Sequence, residues 1–286
     1  MTAAPEDPAT CVEQLIQDYC RTPANSLQNE AHEPAWDDPL VGYSQGDDPL
    51  HAAYKEHVGP FHWTPWEIFH QTFPQAGAAP EELTVICWIL PQTATTRADN
   101  GRETLYPAER WARSRVYGEA FNDRLRQHLV RALAAAGHEA VAPVLAPGWE
   151  TRPSERYHLA STWSERHAAY ASGLGTFGLC DGLITPRGKA MRVGSVVARI
   201  RIPPTPRPYT HHRAYCLFFA QGTCGECIRR CPVGAISQAG HDKARCRQHS
   251  GRASREYVKA RYGFDGYGCG LCQTGVPCES GIPEGV

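Results

Sequence analysis

Apolar residues at Val12, Leu15, Ile16, Tyr19 and Cys20 recur at helical spacing, and Thr10 followed by Glu13 has the form of a capping box. An amphipathic helix is expected there, stopped before Pro23, with Cys20 on its buried face. No such period continues through residues 21–80, where Pro, Asp, Gly and aromatics gather, so that stretch reads as ordered loop with short helices. His51, His57, His62 and His70 fall in it without metal-ligand spacing and read as core or surface side chains.

The pattern sharpens at residues 83–90, a short, β-branched apolar run closed by Pro91, which predicts a buried strand containing Cys87. Residues 107–136 are rich in helix formers; Phe121, Leu125, Leu129 and Leu133 repeat every four positions, and Gly137 supplies a stop. Further strands are expected at 140–145, 179–185 and 191–202, with the Pro-rich residues 203–208 as a hinge. The chain therefore divides into an N-terminal helix and irregular segment (1–80), an α/β substrate-binding core (81–205) and a cysteine-rich C-terminal domain (206–286).

Composition changes this picture only slightly. The formal net charge of −1 and the lack of long Lys or Arg runs recommend neither a nucleic-acid backbone nor an anionic membrane as main partner, and a small ligand fits better. Residues 1–10 are polar, without the features of an export signal, and the longest apolar run is far short of the roughly 20 residues that span a bilayer. A cytoplasmic protein is expected. Most of the 12 cysteines crowd between Cys216 and Cys278, which in that compartment favours metal over disulfides.

Cys216, Cys224, Cys227 and Cys231 form C-x7-C-x2-C-x3-C, with Pro232 directly after. The ending C-x2-C-x3-C-P is the ferredoxin arrangement, in which three thiolates wrap one [4Fe-4S] cluster and the fourth turns to a second. Cys246 stands alone, and Cys269, Cys272 and Cys278 follow as C-x2-C-x5-C. By that logic Cys216, Cys224, Cys227 and Cys278 hold one cluster, and Cys231, Cys246, Cys269 and Cys272 the other. Four-cysteine zinc is the alternative; the proline, the eightfold count and interleaved glycines such as Gly225 and Gly270 favour clusters.

Clusters at the end of an α/β domain imply electron delivery to something that domain holds. Thr162 and Glu165 form a second capping box, opening a helix that stops at Gly173. Gly173-Leu174-Gly175-Thr176-Phe177-Gly178 then matches G-x-G-x-x-G, but with a helix before it and a strand after, the reverse of the dinucleotide-binding order. The bare backbone is read instead as an approach for a large flat ligand.

Trp163-Ser164-Glu165-Arg166-His167, residues 171–178, Leu183-Ile184-Thr185-Pro186 and the eight-cysteine tail together resemble the epoxyqueuosine reductase and reductive dehalogenase superfamily over roughly residues 83–283. The resemblance implies a nitroreductase-like α/β core that binds cobalamin and a ferredoxin-like double [4Fe-4S] domain. Electrons would pass from an external donor such as ferredoxin or flavodoxin through the clusters to the cobalt, which attacks an epoxide or a carbon–halogen bond. No aspartate is followed two positions later by histidine, so the Asp-x-His-x-x-Gly motif that gives cobalt a histidine ligand is missing, as that family leads one to expect.

The chain also departs from the pattern. Leu159 stands where epoxyqueuosine reductases carry the proton-donating aspartate, Gly178-Leu179-Cys180 replaces Gly-Lys-Asn, and a helical-repeat tail is missing, so tRNA is not expected as substrate. Dehalogenases of the family pair a tyrosine proton donor with a basic residue; by position Tyr157, Tyr170 and Arg192 are the catalytic candidates, with Lys189 beside them. Gly173, Gly175, Thr176, Phe177, Gly178 and Cys180 are the expected cofactor-binding residues, and Asp181 a pocket-lining one. A cobalamin-independent [4Fe-4S] electron-transfer protein or reductase is the alternative.

Overall fold

The computed structural model describes residues 7–286, so residues 1–6 of the stretch read for an export signal lie outside the described residues. The first part of the chain forms α1 (Pro8–Cys20), β1 (Leu40–Gln45), α2 (Pro49–His57), α3 (Pro65–Thr72), β2 (Thr84–Pro91), α4 (Ala94–Arg102), α5 (Glu109–Arg113) and α6 (Glu119–Ala135). Then come β3 (Ala140–Val141), the hairpin β4 (Thr151–Ser154) and β5 (His158–Ser161), α7 (Glu165–Ala171), the hairpin β6 (Thr176–Phe177) and β7 (Leu183–Ile184), and β8 (Met191–Ala198). The tail adds α8 (Leu217–Gln221), α9 (Glu226–Arg229), the pair β9 (Ile236–Ser237) and β10 (Gly240–His241), α10 (Lys243–Arg247) and α11 (Ser254–Tyr262).

An antiparallel sheet of order β1-β2-β8-β3 lies at the centre. All eight residues of β2 are buried because the strand is covered on both faces. Alternate side chains leave it in opposite directions: Ile86, Trp88 and Leu90 meet Val12 and Ile16 of α1 and Phe121, Leu125 and Leu129 of α6. Val85, Cys87 and Ile89 meet Ile68 and Phe69 of α3 and Ala168 and Ala169 of α7. The partner strand makes room for the one large ring, since a Cβ on Gly194 would lie 2.3 Å from Trp88 Cε2, and Trp88 Nε1 donates to Asn122 Oδ1 at 2.9 Å.

Several expectations change. The α1 cap is Asp7, whose carboxylate accepts from the Thr10 amide, because the helix begins three residues earlier than a Thr10 cap implies, at Pro8. Within residues 21–80, read as loop and short helices, β1 pairs with β2 from Leu40 opposite Ile89 to Gln45 opposite Thr84. Its Gly42 and Ser44 hid it from a hydrophobic pattern: a Cβ on Gly42 would sit 2.5 Å from Ser172 O, and Ser44 Oγ bonds the ring of His51 at 3.1 Å. The 107–136 helix carries a π-helical turn at Ser114–Gly118, where Trp36 Nε1 donates to Gly118 O. The 140–145 strand is cut to two residues by a 3₁₀ turn at Pro143, and residues 179–185 contribute only β7, which pairs with β6 outside the main sheet. At α7 the cap is Ser164 rather than Thr162, because Glu165 turns inward to the buried Arg126 at 2.9 Å instead of back to the helix start.

Candidate functional site

A cavity of about 1020 Å³ opens between the α/β core and the cysteine tail. The β4–β5 hairpin brings Tyr157 to its wall, α7 brings Arg166, His167 and Tyr170, and the start of β8 brings Met191 and Arg192. Tyr170 lies edge-tilted to Phe177 and stacks on Tyr209, 5.8 and 5.2 Å between centroids. Burial pushes its phenol above the ordinary tyrosine range, with Arg207 opposing, so it stays protonated. The Lys243 ammonium sits 4.4 Å from the Tyr157 ring centre, a cation–π contact. Arg192 is held by Glu119 at 2.9 Å; burial and then Arg115 lower the guanidinium to about 10, Glu119 opposing, and it remains a cation at neutral pH.

His167, absent from the sequence reading as a candidate, also faces this space. Burial first, then the cations around it, hold its imidazole far below the usual range, and Ser164 Oγ fixes the ring at 2.8 Å from Nδ1. A neutral histidine whose role depends on three separate segments has no local signature. The wall is strongly one-sided in charge: Arg156, Arg166, Arg192, Arg213, Lys243 and Arg247 line it against a single carboxylate, Asp181, among the described residues.

The cysteines fall into two sets. Cys216, Cys224, Cys227 and Cys278 surround a small cavity of about 20 Å³ that is otherwise walled by apolar residues such as Leu179, Ile184 and Phe218, with Lys189. Cys231, Cys246, Cys269 and Cys272 instead line the large cavity. Cys180 lines the large cavity and packs in the same buried cluster as Cys216, Cys227 and Cys278. The Ala235 amide donates to Cys231 Sγ at 3.2 Å, the kind of backbone support that thiolate ligands receive. Among the described residues no three His, Cys, Asp or Glu converge as a single metal ion would need.

No family model matches the chain. Over 125 residues it is 31% identical to the epoxyqueuosine reductase of Bacillus anthracis, a match spanning 42% of the chain and only 30% of that relative's length. The catabolic reductive dehalogenase NpRdhA, solved with 3-bromo-4-hydroxybenzoic acid, superimposes with a TM-score of 0.52 at 13% identity over 96% of this chain and 37% of its own. The likeness over those 125 residues agrees with the resemblance read from the sequence, and the dehalogenase superposition shows a shared fold. An epoxyqueuosine reductase solved with an epoxyqueuosine-modified tRNA stem loop gives a TM-score of 0.48 at 16% identity, covering 96% of this chain and 67% of its own. The α/β class is shared with the superfamily's dehalogenase fold.

The expected site residues separate cleanly. Tyr157, Tyr170 and Arg192, and Phe177, Gly178, Cys180 and Asp181, line the large cavity. Gly173, Gly175 and Thr176 do not: the bare faces of the two glycines are filled by their own chain, since a Cβ on Gly173 would lie 2.7 Å from Pro206 O and one on Gly175 2.2 Å from Ile184 O. Both glycines take positive φ, 77° and 158°, to make the turn into the β6–β7 hairpin, and Thr176 is fully buried with its hydroxyl accepting from the Tyr215 amide. Lys189 faces the small cavity rather than the large one. Leu159, at the position of the missing aspartate, is an exposed residue at the rim.

Proposed function

We propose that the chain is a cytoplasmic oxidoreductase that uses two [4Fe-4S] clusters and cobalamin to reduce a small organic molecule, by reductive dehalogenation or by epoxide or C–O reduction. The observation that carries this reading is that Cys231, Cys246, Cys269 and Cys272 line the same cavity as Tyr157, Tyr170 and Arg192. Cys216, Cys224, Cys227 and Cys278 would hold the first cluster, the other four the second, and the wall formed by Phe177, Gly178, Cys180 and Met191 is where the corrin would lie. When bound, these groups would supply single electrons and a strongly reducing cobalt centre. No helix of the described residues is long and apolar enough to cross a membrane.

The chain's own residues then divide the remaining work. Tyr170, kept neutral by burial, is the proton donor: it releases its proton only to a strongly basic carbanion or alkoxide. Arg192, oriented by Glu119, and Tyr157, backed by Lys243, orient the substrate and offset developing negative charge. His167, neutral, offers an acceptor without adding charge. The cationic wall selects an anionic substrate or one attached to an anionic carrier, nucleic acid included. Net charge near zero had argued against nucleic acid, but that sum averages over the surface and misses a concentration of arginine in one cleft.

The test is to purify the protein without oxygen, add cobalamin and record its electron paramagnetic resonance spectrum. A base-off Co(II) signal without nitrogen splitting supports the reading. Cluster signals with cobalt as in free solution would leave the cobalamin-independent electron-transfer protein in its place.

A further inference from the structure

Lys189 is buried without a carboxylate. It is 3% exposed and shares the small cavity with Cys216, Cys224, Cys227 and Cys278. Among the described residues it forms no ion pair with Asp or Glu: Glu279 is engaged by Arg97, and Asp181 by Lys243 and His241. An ammonium removed from water is costly unless opposing charge faces it, and the groups facing this one are thiols.

The backbone fixes it there. The Lys189 amide donates to Cys278 O at 2.8 Å, tying the start of β8 to the last cysteine. Gly188 before it has φ 83° and packs bare against the chain, since a Cβ would lie 2.1 Å from Glu279 O, and Gly182 leaves space for the lysine stem, where a Cβ would come within 2.8 Å of Cδ. Two glycines and a backbone bond thus bring one cation from the α/β core to one cysteine set.

We propose that Lys189 is the fixed counter-charge of the first cysteine site and raises its reduction potential above that of the second. This rests on the cluster reading given above. A four-cysteine cluster gains one unit of negative charge when a donor gives it an electron, and net charge and hydrogen bonds to the sulfurs set the potential of such clusters. A cation against Cys278, screened from water, favours the reduced state of the site it touches. The second site opens on the large cavity and takes a smaller share. An electron from outside then settles first at the enclosed site and moves inward on demand.

The experiment is a potentiometric titration of the anaerobic, iron-loaded full chain, followed by electron paramagnetic resonance, with the two signals assigned by comparison with Cys246→Ser. In Lys189→Met the reduction equilibrium of the first cluster is expected to weaken at least tenfold, about 59 mV for a one-electron couple, while the second moves less. Lys189→Arg, which keeps the charge, is expected to stay near the wild type. An unchanged potential in Lys189→Met, or an equal fall in Lys189→Arg, overturns the inference. Wild-type protein that takes up no iron and sulfide sinks the cluster reading itself, a separate result. Where Lys189→Met does not retain its iron, Lys189→Gln, a donor without charge, is judged by the same criteria.

Discussion

Strand β2 hides all eight of its residues between two helical layers, whereas the buried cluster beneath the tail is half cysteine, with Cys180, Cys216, Cys227 and Cys278 beside Leu179, Ile184, Ile236 and Val276. The core's long helix α6 has 17 residues and lays Phe121, Leu125, Leu129 and Leu133 on the sheet. Tail helices have between 4 and 9 residues, too short to persist on their own. One region is thus organised by apolar burial; the other places thiols where apolar side chains would stand and, on the cluster reading proposed above, would draw its stability from what the thiols hold. The cavity lies where the two meet, so its walls combine positions on the packed core with cysteines of the tail.

The strongest test of this contrast is to strip iron anaerobically with a chelator. Residues 81–202 are expected to stay resistant to protease while the chain beyond Pro208 becomes cleavable, and equal resistance of both regions would end the distinction. Replacing one ligand is a milder version: Cys246→Ser is expected to lose about four of eight irons, those of the second site, while the first keeps its signal. Loss of all iron would mean that the two sites assemble as one unit.

The converse experiment strikes the core. Phe121→Ala is expected to lower stability by about 3–5 kcal/mol in urea unfolding, with cluster absorbance lost only as the whole domain melts. A smaller effect comes from acid. His51 and His62 are both buried and pushed down to about 4, chiefly by burial, against about 6.5 in the unfolded chain. The unfolded chain takes up protons that the folded one refuses, so this contribution is complete above pH 6.5 and is lost as pH falls from there toward 4. It is worth on the order of 3 kcal/mol per histidine at most. Urea midpoints measured between pH 7 and 5 are expected to fall, and His62→Gln to flatten the slope; a slope unchanged in that variant would remove His62 from the account.

What was legible in the chain alone was what repeats or recurs at short range. The 83–90 run marked β2, and the four-residue period from Phe121 marked the helix over it. Strand β1 escaped because Gly42 and Ser44 suit partners found 128 or more residues away, at Ser172 and Leu174. The glycine loop matched a familiar string, yet its bare faces are turned to its own chain, and only packing could show that.

The division has a physical cause. Burial periodicity is a property of consecutive residues, so the sequence by itself determined the central strand and its covering helix. Which cations line the large cavity, which carboxylate holds Arg192 and why Lys189 faces thiols are matters of distance between segments far apart in the chain. Those distances come into being only when β8 pairs with β2 and sets Arg192 at its start, and Lys189 two residues before it, against different cavities.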